Sequence, residues 1–381
     1  MAMEKKIVIG ITSESSVSLI SGQLSYFKSI GYKMYLLSPY SERVEKFCKL
    51  EGCEHLEINI ERDISPLKDF KTFIQIYRIL KVVKPDIVNF GTPKVSLLGI
   101  SVSFILGVKK RIYTCRGFRF EHESGFKKFI LVLMEKITVY FSHKVICISA
   151  SVQELGFRNS IFSSNKSVVI NKGSSNGINL NLFDRLSITK ESTHDILKKY
   201  NLSGRFVFGF IGRIVDRKGI SELLDAFDIL FNSHQNLSLL LIGPFEHSQL
   251  KTTKIVERIK MHQGISYVGS VAQDEIPSYL SVMNVFVLPA WWEGFGNVLI
   301  QAAAMGVPVI STDATGTKDA VSNNFNGLLV PAKDVIALKN AMLYLINNDE
   351  LRKKMGENGV IWSKNFESEN LWQSMNSIYL E

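Results

Sequence analysis

Short β-branched runs alternate with longer segments of helical periodicity along the chain, and that alternation leaves few folds open. In the first half the runs fall at residues 7–11, 34–37, 56–60, 87–90, 112–114, 145–148 and 168–170. Most are short and apolar throughout, the pattern of strands buried on both faces. Segments 23–29 and 70–83 repeat apolar residues at helical spacing between them. Strand, helix and strand in succession require crossover connections, and so a parallel sheet with helices on both faces. Lys84-Pro85-Asp86 stops one helix and feeds the strand IVNF, because the residue before a proline is driven out of the helical region.

A second series begins with FVFGFIG (206–212) and continues through LSLLLIG (237–243), ISYVG (265–269), VFVLP (285–289) and VPVIS (307–311), with helices expected at 221–231 and 296–305. Between the two series, residues 171–203 carry clusters of Gly, Ser and Asn and read as a linker. The expected fold class is α/β, with two doubly wound domains at 1–185 and 186–365. Residues 366–381 are expected to form a terminal helix that packs back on the first domain. Ligands of such sheets sit outside the carboxyl ends of the strands, so the residues just after each strand carry the functional argument.

Of the 381 residues, 46% are hydrophobic and 21% charged, which excludes collagen-like, low-complexity and disulfide-dense chains. Net charge is +9, and its distribution is uneven. Residues 1–190 hold 28 Lys and Arg against 16 Asp and Glu (+12), whereas residues 191–381 hold 17 against 20 (−3). Such asymmetry points to nucleic acid or an anionic membrane surface as a partner. Cys48, Cys53, Cys115 and Cys147 form no CxxC pair and the histidines show no metal spacing, so no structural metal is expected. The run IVIGI is strand length and lacks the apolar core of a signal peptide. The uncharged stretch 95–108 falls short of the ~20 residues of a spanning helix and reads as a buried one. A cytoplasmic chain with four reduced thiols is the resulting expectation.

Two segments after second-half strands could carry chemistry. Gly212-Arg213-Ile214-Val215-Asp216-Arg217-Lys218-Gly219 leaves a strand and opens into a helix. Glycines admit a ligand to the backbone, the helix start supplies partial positive charge, and Arg213 and Lys218 add two full charges. A diphosphate suits that arrangement; an exposed basic turn accounts for it equally well. The segment lacks the spacing of a P-loop. After VFVLPA, Trp291-Trp292-Glu293-Gly294-Phe295-Gly296 makes a tight turn into an Ala-rich helix that carries Gln301. Glu293 at the strand's carboxyl end faces a ligand crevice, or merely compensates the helix start.

The pieces GRIVDRKG, EGFGNVLIQAAAMGVPVIST, GTKDAV and NGLLVP resemble the carboxyl-terminal half of a family 4 glycosyltransferase, a GT-B enzyme with two Rossmann-like domains facing across a cleft. YTCRGFRFE, VICIS and NKGSSNGIN resemble bacterial members that extend sugars on polyprenyl-diphosphate carriers. The resemblance implies that Arg213 and Lys218 neutralise the diphosphate of a nucleotide sugar, with Gly212 beside it. Glu293 takes the first acidic position of the family's E-x7-E pattern and touches donor-sugar hydroxyls. Gln301 stands at the second position, usually a Glu that binds ribose, so a charge-assisted bond is lost there. Phe295, Gly296 and Asn297 would present backbone N–H groups to the donor, and Val298 continues the helix beneath it. Retention of anomeric configuration is implied, as is independence of metals and cofactors, and no DxD triplet occurs.

In the first domain, Ser16 lies in the loop after the first strand, and Arg116, Gly117, Arg119 and Glu121 follow the strand RIYT. These are the candidates for acceptor or phosphate contacts; a solvated polar edge is the alternative. Residues 126–136 combine lysines with an apolar run and, with Lys109-Lys110-Arg111, suit an anionic phospholipid surface, although a core helix with a basic first turn explains them too. The expected enzyme is peripheral on the inner face of the cell membrane. Its expected partners are a nucleotide-sugar donor, probed first as a UDP-sugar, and a lipid-linked saccharide. Nucleic acid is disfavoured, because no recognition motif accompanies the charge. A catalytically weak partner subunit with the same fold is the other alternative, and Gln301 is its support.

Overall fold

Every strand pairing in the computed structural model is parallel, and the strands build two separate sheets. The structure describes residues 4–381 except 62–64, 247–248, 251 and 253. Two units result: unit 1 is the chain up to Gly177 together with Ser368–Glu381, and unit 2 is Ile178–Glu367.

Unit 1 runs β1 (Lys6–Gly10), α1 (Gln23–Ser29), β2 (Lys33–Ser38), α2 (Glu42–Glu51), β3 (Glu54–Glu57), α3 (Pro66–Val83) and β4 (Ile87–Phe90). It continues through α4 (Pro93–Ile105), β5 (Lys110–Cys115), α5 (Gly125–Phe141), β6 (Lys144–Cys147), α6 (Ala150–Arg158) and β7 (Ser167–Val169). Its sheet order is β3-β2-β1-β4-β5-β6-β7. The central strands are buried on both faces, which is why their sequences are unbroken apolar runs. One core layer gathers Ile7, Ile9, Leu24, Phe27 and Leu36; the opposite face gathers Val8, Leu37, Ile76, Val88 and Ile100.

Unit 2 runs α7 (Lys190–Lys199), β8 (Phe206–Ile211), α8 (Ile220–Ser233), β9 (Leu237–Ile242), α9 (Lys254–Met261), β10 (Ile265–Gly269) and α10 (Ile276–Ser281). There follow β11 (Val285–Leu288), α11 (Asn297–Ala304), β12 (Val309–Thr312), α12 (Thr317–Ala320), β13 (Gly327–Val330), α13 (Val335–Asn347) and α14 (Asp349–Ser363). The order β10-β9-β8-β11-β12-β13 puts the reversal of strand order between β8 and β11, as unit 1 puts it between β1 and β4. Crevices for ligands open at such reversals.

Three local expectations need correction. The stretch 171–203 is not a continuous linker: Thr189 accepts the Ser192 amide as an N-cap and α7 follows, with Ile196 buried. The stretch 95–108 is not wholly buried either. Its helix α4 ends at Ile105 ahead of Gly107, which adopts φ 68°, and Phe104 and Ile105 are exposed. The chain enters unit 2 at Ile178, ahead of residue 185, where the Ile178 amide donates to the Phe366 carbonyl at 2.8 Å and the segments run side by side. The final helix α15 (Ser368–Leu380) belongs to unit 1, where Leu371, Met375, Ile378 and Tyr379 complete the first core layer.

Candidate active site

At the end of β8 the chain makes a short 3-10 turn, Asp216–Lys218, and then passes through Gly219 into α8. Gly219 is left-handed (φ 71°), and a Cβ there would lie 2.0 Å from the Pro289 carbonyl oxygen. Only glycine permits that approach, and it brings the turn against the end of β11. The Lys218 ammonium consequently contacts Glu293 Oε1, and Arg217 Nη1 reaches the same oxygen at 3.2 Å. Both Lys218 and Glu293 are nearly enclosed, with side chains 11% and 14% exposed.

Glu293 is held from behind. Its amide donates to the Thr315 carbonyl at 2.9 Å, and Gly316, at φ 81°, packs so closely that a Cβ would fall 2.2 Å from the Glu293 carbonyl oxygen. Burial alone would push the Glu293 carboxyl up, but Lys218, Arg217 and Arg213 together hold it below its ordinary 4.5. Burial pulls the Lys218 ammonium down, and Glu293 opposes that shift. Arg213 itself pairs with Glu246, Nη1 lying 2.8 Å from each carboxylate oxygen. Trp291 Nε1 donates to Glu222 at 2.9 Å, while the Lys333 ammonium sits 4.3 Å from the Trp291 ring centroid.

The neighbouring turn ends at Gly296, the left-handed N-cap of α11. Phe295 points into the core against Phe366, so it offers only its backbone to a ligand. Asn297, Val298 and Gln301 are half-buried on the first turns of α11, and the Gln301 side chain makes no hydrogen bond among the described residues. Arg213, Arg217 and Lys218, held by Glu293 and Glu246 next to a helix start, supply donors able to take a diphosphate.

In unit 1, Arg116 leaves the carboxyl end of β5, and its Nε donates to Ser175 Oγ at 2.7 Å. Burial pulls its guanidinium down to about 10, and no carboxylate among the described residues lies within 4 Å of it. Gly117 follows with φ 108°; Arg119 is exposed, and Glu121 lies 3.8 Å from His122. Ser16 sits in a cluster of hydroxyls, its Oγ 3.3 Å from that of Ser13, and Thr12 and Thr92 join β1 to β4 at 2.5 Å.

Residues 192–362 match the family model for glycosyl transferases group 1, and residues 11–149 that for glycosyl transferase 4-like. A capsular polysaccharide biosynthesis glycosyltransferase of Staphylococcus aureus, CapM, is 34% identical over 98% of this chain and 97% of its own length. The chain is a group 1 glycosyltransferase. An N,N'-diacetylbacillosaminyl-diphospho-undecaprenol alpha-1,3-N-acetylgalactosaminyltransferase of Campylobacter jejuni is 24% identical over 92% of each chain. Among solved structures, Anabaena HepE in complex with UDP-glucose has a TM-score of 0.81 at 17% identity, over 98% of each chain, and shares the GT-B fold.

Sequence reasoning missed two charged residues of this glycosyltransferase. Arg217 lies inside the basic run beside Lys218, but its reach to Glu293 depends on the 3-10 turn. Glu246 follows β9, and the rule of strand carboxyl ends could have found it. The basic cluster of unit 1 also divides by task. Arg111 donates to the carbonyls of Phe141 and Val108 at 2.7 Å each, Lys166 to Tyr140 at 3.0 Å and Lys6 to Val83 at 2.9 Å. These cations serve carbonyls at or just beyond helix carboxyl ends, where positive charge is favoured.

Proposed function

We propose that this glycosyltransferase moves a sugar from a UDP-sugar to a saccharide carried on a polyprenyl diphosphate, with retention of configuration. The observation that carries the reading is the group of Arg213, Arg217 and Lys218 around Glu293 at the strand reversal of unit 2. It is supported by HepE, solved with UDP-glucose, and by the Campylobacter relative, whose name includes diphospho-undecaprenol. In the proposed reaction the bond from the sugar's anomeric carbon to the leaving phosphate oxygen breaks and a bond to an acceptor hydroxyl forms. The hydroxyl proton passes to the departing phosphate. Lys218, Arg213 and Arg217 stabilise the developing charge, and Glu293 orients the donor sugar through its hydroxyls.

A panel of UDP-, GDP- and dTDP-sugars tests this by thermal unfolding. A UDP-sugar at 100 times its dissociation constant adds about 2.7 kcal/mol of stability, and the other nucleotides at equal concentration add less. Equal shifts from all three would remove the assignment of uridine.

We also assign unit 1 a docking face for an anionic membrane, to which the lipid-linked acceptor belongs. No helix of the described residues is long and apolar enough to cross a membrane. Phe126, Phe129, Leu133, Ile137 and Tyr140 of α5 are exposed, and at 3.6 residues per turn they share roughly 80° of arc. Lys136 lies at one edge of the stripe, while Leu131, Glu135, Thr138 and Val139 face inward and Lys127 pairs with Glu123. An apolar stripe edged with lysine is the pattern of a helix lying in a lipid interface. The double variant Phe126→Asp/Phe129→Asp is expected to bind anionic vesicles at least about tenfold more weakly, from the lost burial of two rings. Co-sedimentation measures it, and equal recovery with neutral and anionic lipid at low salt would exclude the anionic surface.

A further inference from the structure

Trp291 ties the end of β11 to the start of α8 at two points. Its amide donates to the Arg217 carbonyl at 2.8 Å, and its indole Nε1 donates to Glu222 Oε1 at 2.9 Å. Arg217 is the middle residue of the 3-10 turn that also carries Lys218, and Glu222 lies on the first turn of α8, shortly after it. One residue, two positions ahead of Glu293, therefore holds the turn of cations both at its middle and beyond its end. The Lys333 ammonium sits over the same indole, 4.3 Å from the ring centroid, and holds the ring from a third segment of unit 2.

Glu222 is a costly anchor. Its second oxygen, Oε2, is buried and has no hydrogen-bond partner among the described residues, and a buried acceptor left unpaired costs free energy. The amino end of α8 offsets part of that cost, because negative charge is favoured on a first helical turn. Charge compensation by itself needs no such burial, since an exposed carboxylate on the same turn would serve. The carboxylate is instead turned in to the indole.

We propose that Trp291, anchored by Glu222, is a positioning residue for Arg217 and Lys218, holding both where they grip the terminal phosphoryl group of a nucleoside diphosphate. The proposal rests on the reading of this turn as the donor's diphosphate site. Glu293 binds the same two cations, so a diphosphate has to share them with a carboxylate that repels it. A turn free to move would close on Glu293 and lose the ligand. A pinned turn keeps its donors at a fixed distance from both.

Calorimetric titration with UDP and, separately, with UMP tests it, since the two ligands differ only by the terminal phosphoryl group. Trp291→Phe keeps an aromatic face for Lys333 and removes the N–H. It is expected to bind UDP about tenfold more weakly, the scale of one hydrogen bond to a charged group, and UMP within about twofold of wild type. Glu222→Leu removes the acceptor and the unpaired oxygen together, so UDP affinity falls by a like factor without a matching loss of thermal stability. Glu222→Gln keeps an acceptor for the indole and is expected to bind UDP within about threefold of wild type. The double variant Trp291→Phe/Glu222→Leu is expected to bind no worse than either single one, since residues that act through one contact are not additive. Wild-type UDP affinity in Trp291→Phe, an equal loss of UMP affinity, or full additivity in the double variant overturns the positioning role alone. Failure of the wild-type protein to bind UDP more tightly than UMP, or unchanged UDP binding by Lys218→Ala, overturns the donor-site reading and the proposal with it.

Discussion

Replacing Glu293 by glutamine is expected to lower kcat by about two to three orders of magnitude, while UDP affinity changes by no more than about threefold. The side chain is nearly isosteric, and its Oε1 can still accept from Lys218. What disappears is the negative charge that three cations hold in place, and with it, in the proposed reaction, the strong hydrogen bonds to donor-sugar hydroxyls. Single-turnover assays with a UDP-sugar separate this from binding. A kcat within tenfold of wild type would remove Glu293 from the reaction.

Lys218→Ala is expected to cost about a hundredfold in kcat/KM for the donor, and Arg213→Ala more than tenfold. The two differ because their surroundings differ. Lys218 is enclosed and shares Glu293 with Arg217, whereas Arg213 is 38% exposed and already paired with Glu246. Removing one partner of a buried ion pair typically costs about 3–5 kcal/mol, and Arg217 moderates the loss here. Lys218→Ala should therefore also unfold at lower temperature, a penalty Arg213→Ala escapes. The pH profile adds a check with a definite sign. Lys218 is the strongest of the cations that hold the Glu293 carboxyl down, so without it the carboxyl rises and activity is lost at a higher pH on the acid side. Near-normal rates in both variants would refute the diphosphate assignment.

How far the sequence could be read follows from the range of each interaction. Strand runs such as IVNF and LSLLLI carry their burial in composition alone, and both parallel sheets could be inferred from them. The site's neighbourhood was legible for the same reason, since residues 212–219 and 293–301 fall at strand carboxyl ends. Ion-pair partners were not. Arg213 meets Glu246, and Arg217 meets Glu293, through the juxtaposition of β8 with β9 and with β11, which no local pattern encodes. The cationic excess of the first half misled in one respect. Parallel strands point every covering helix the same way, so helix carboxyl ends collect at one edge, and Arg111, Lys166 and Lys6 serve carbonyls there. The proposed lipid docking falls to α5, whose apolar stripe is defined by which of its residues are buried.

Unit 1 is closed by a helix that arrives after the whole of unit 2. During synthesis at about 5–20 residues per second, roughly 10–40 s separate the emergence of Gly177 from that of Ser368. Throughout that interval the first core layer lacks Leu371, Met375 and Tyr379, and its apolar face is open to solvent or to chaperones. Unit 2 carries all of its own strands and can finish first, which reverses the usual amino-to-carboxyl order of domain maturation. A nascent chain released before Ser368 would hold a complete unit 2 and an unfinished unit 1, whose first core layer stays open.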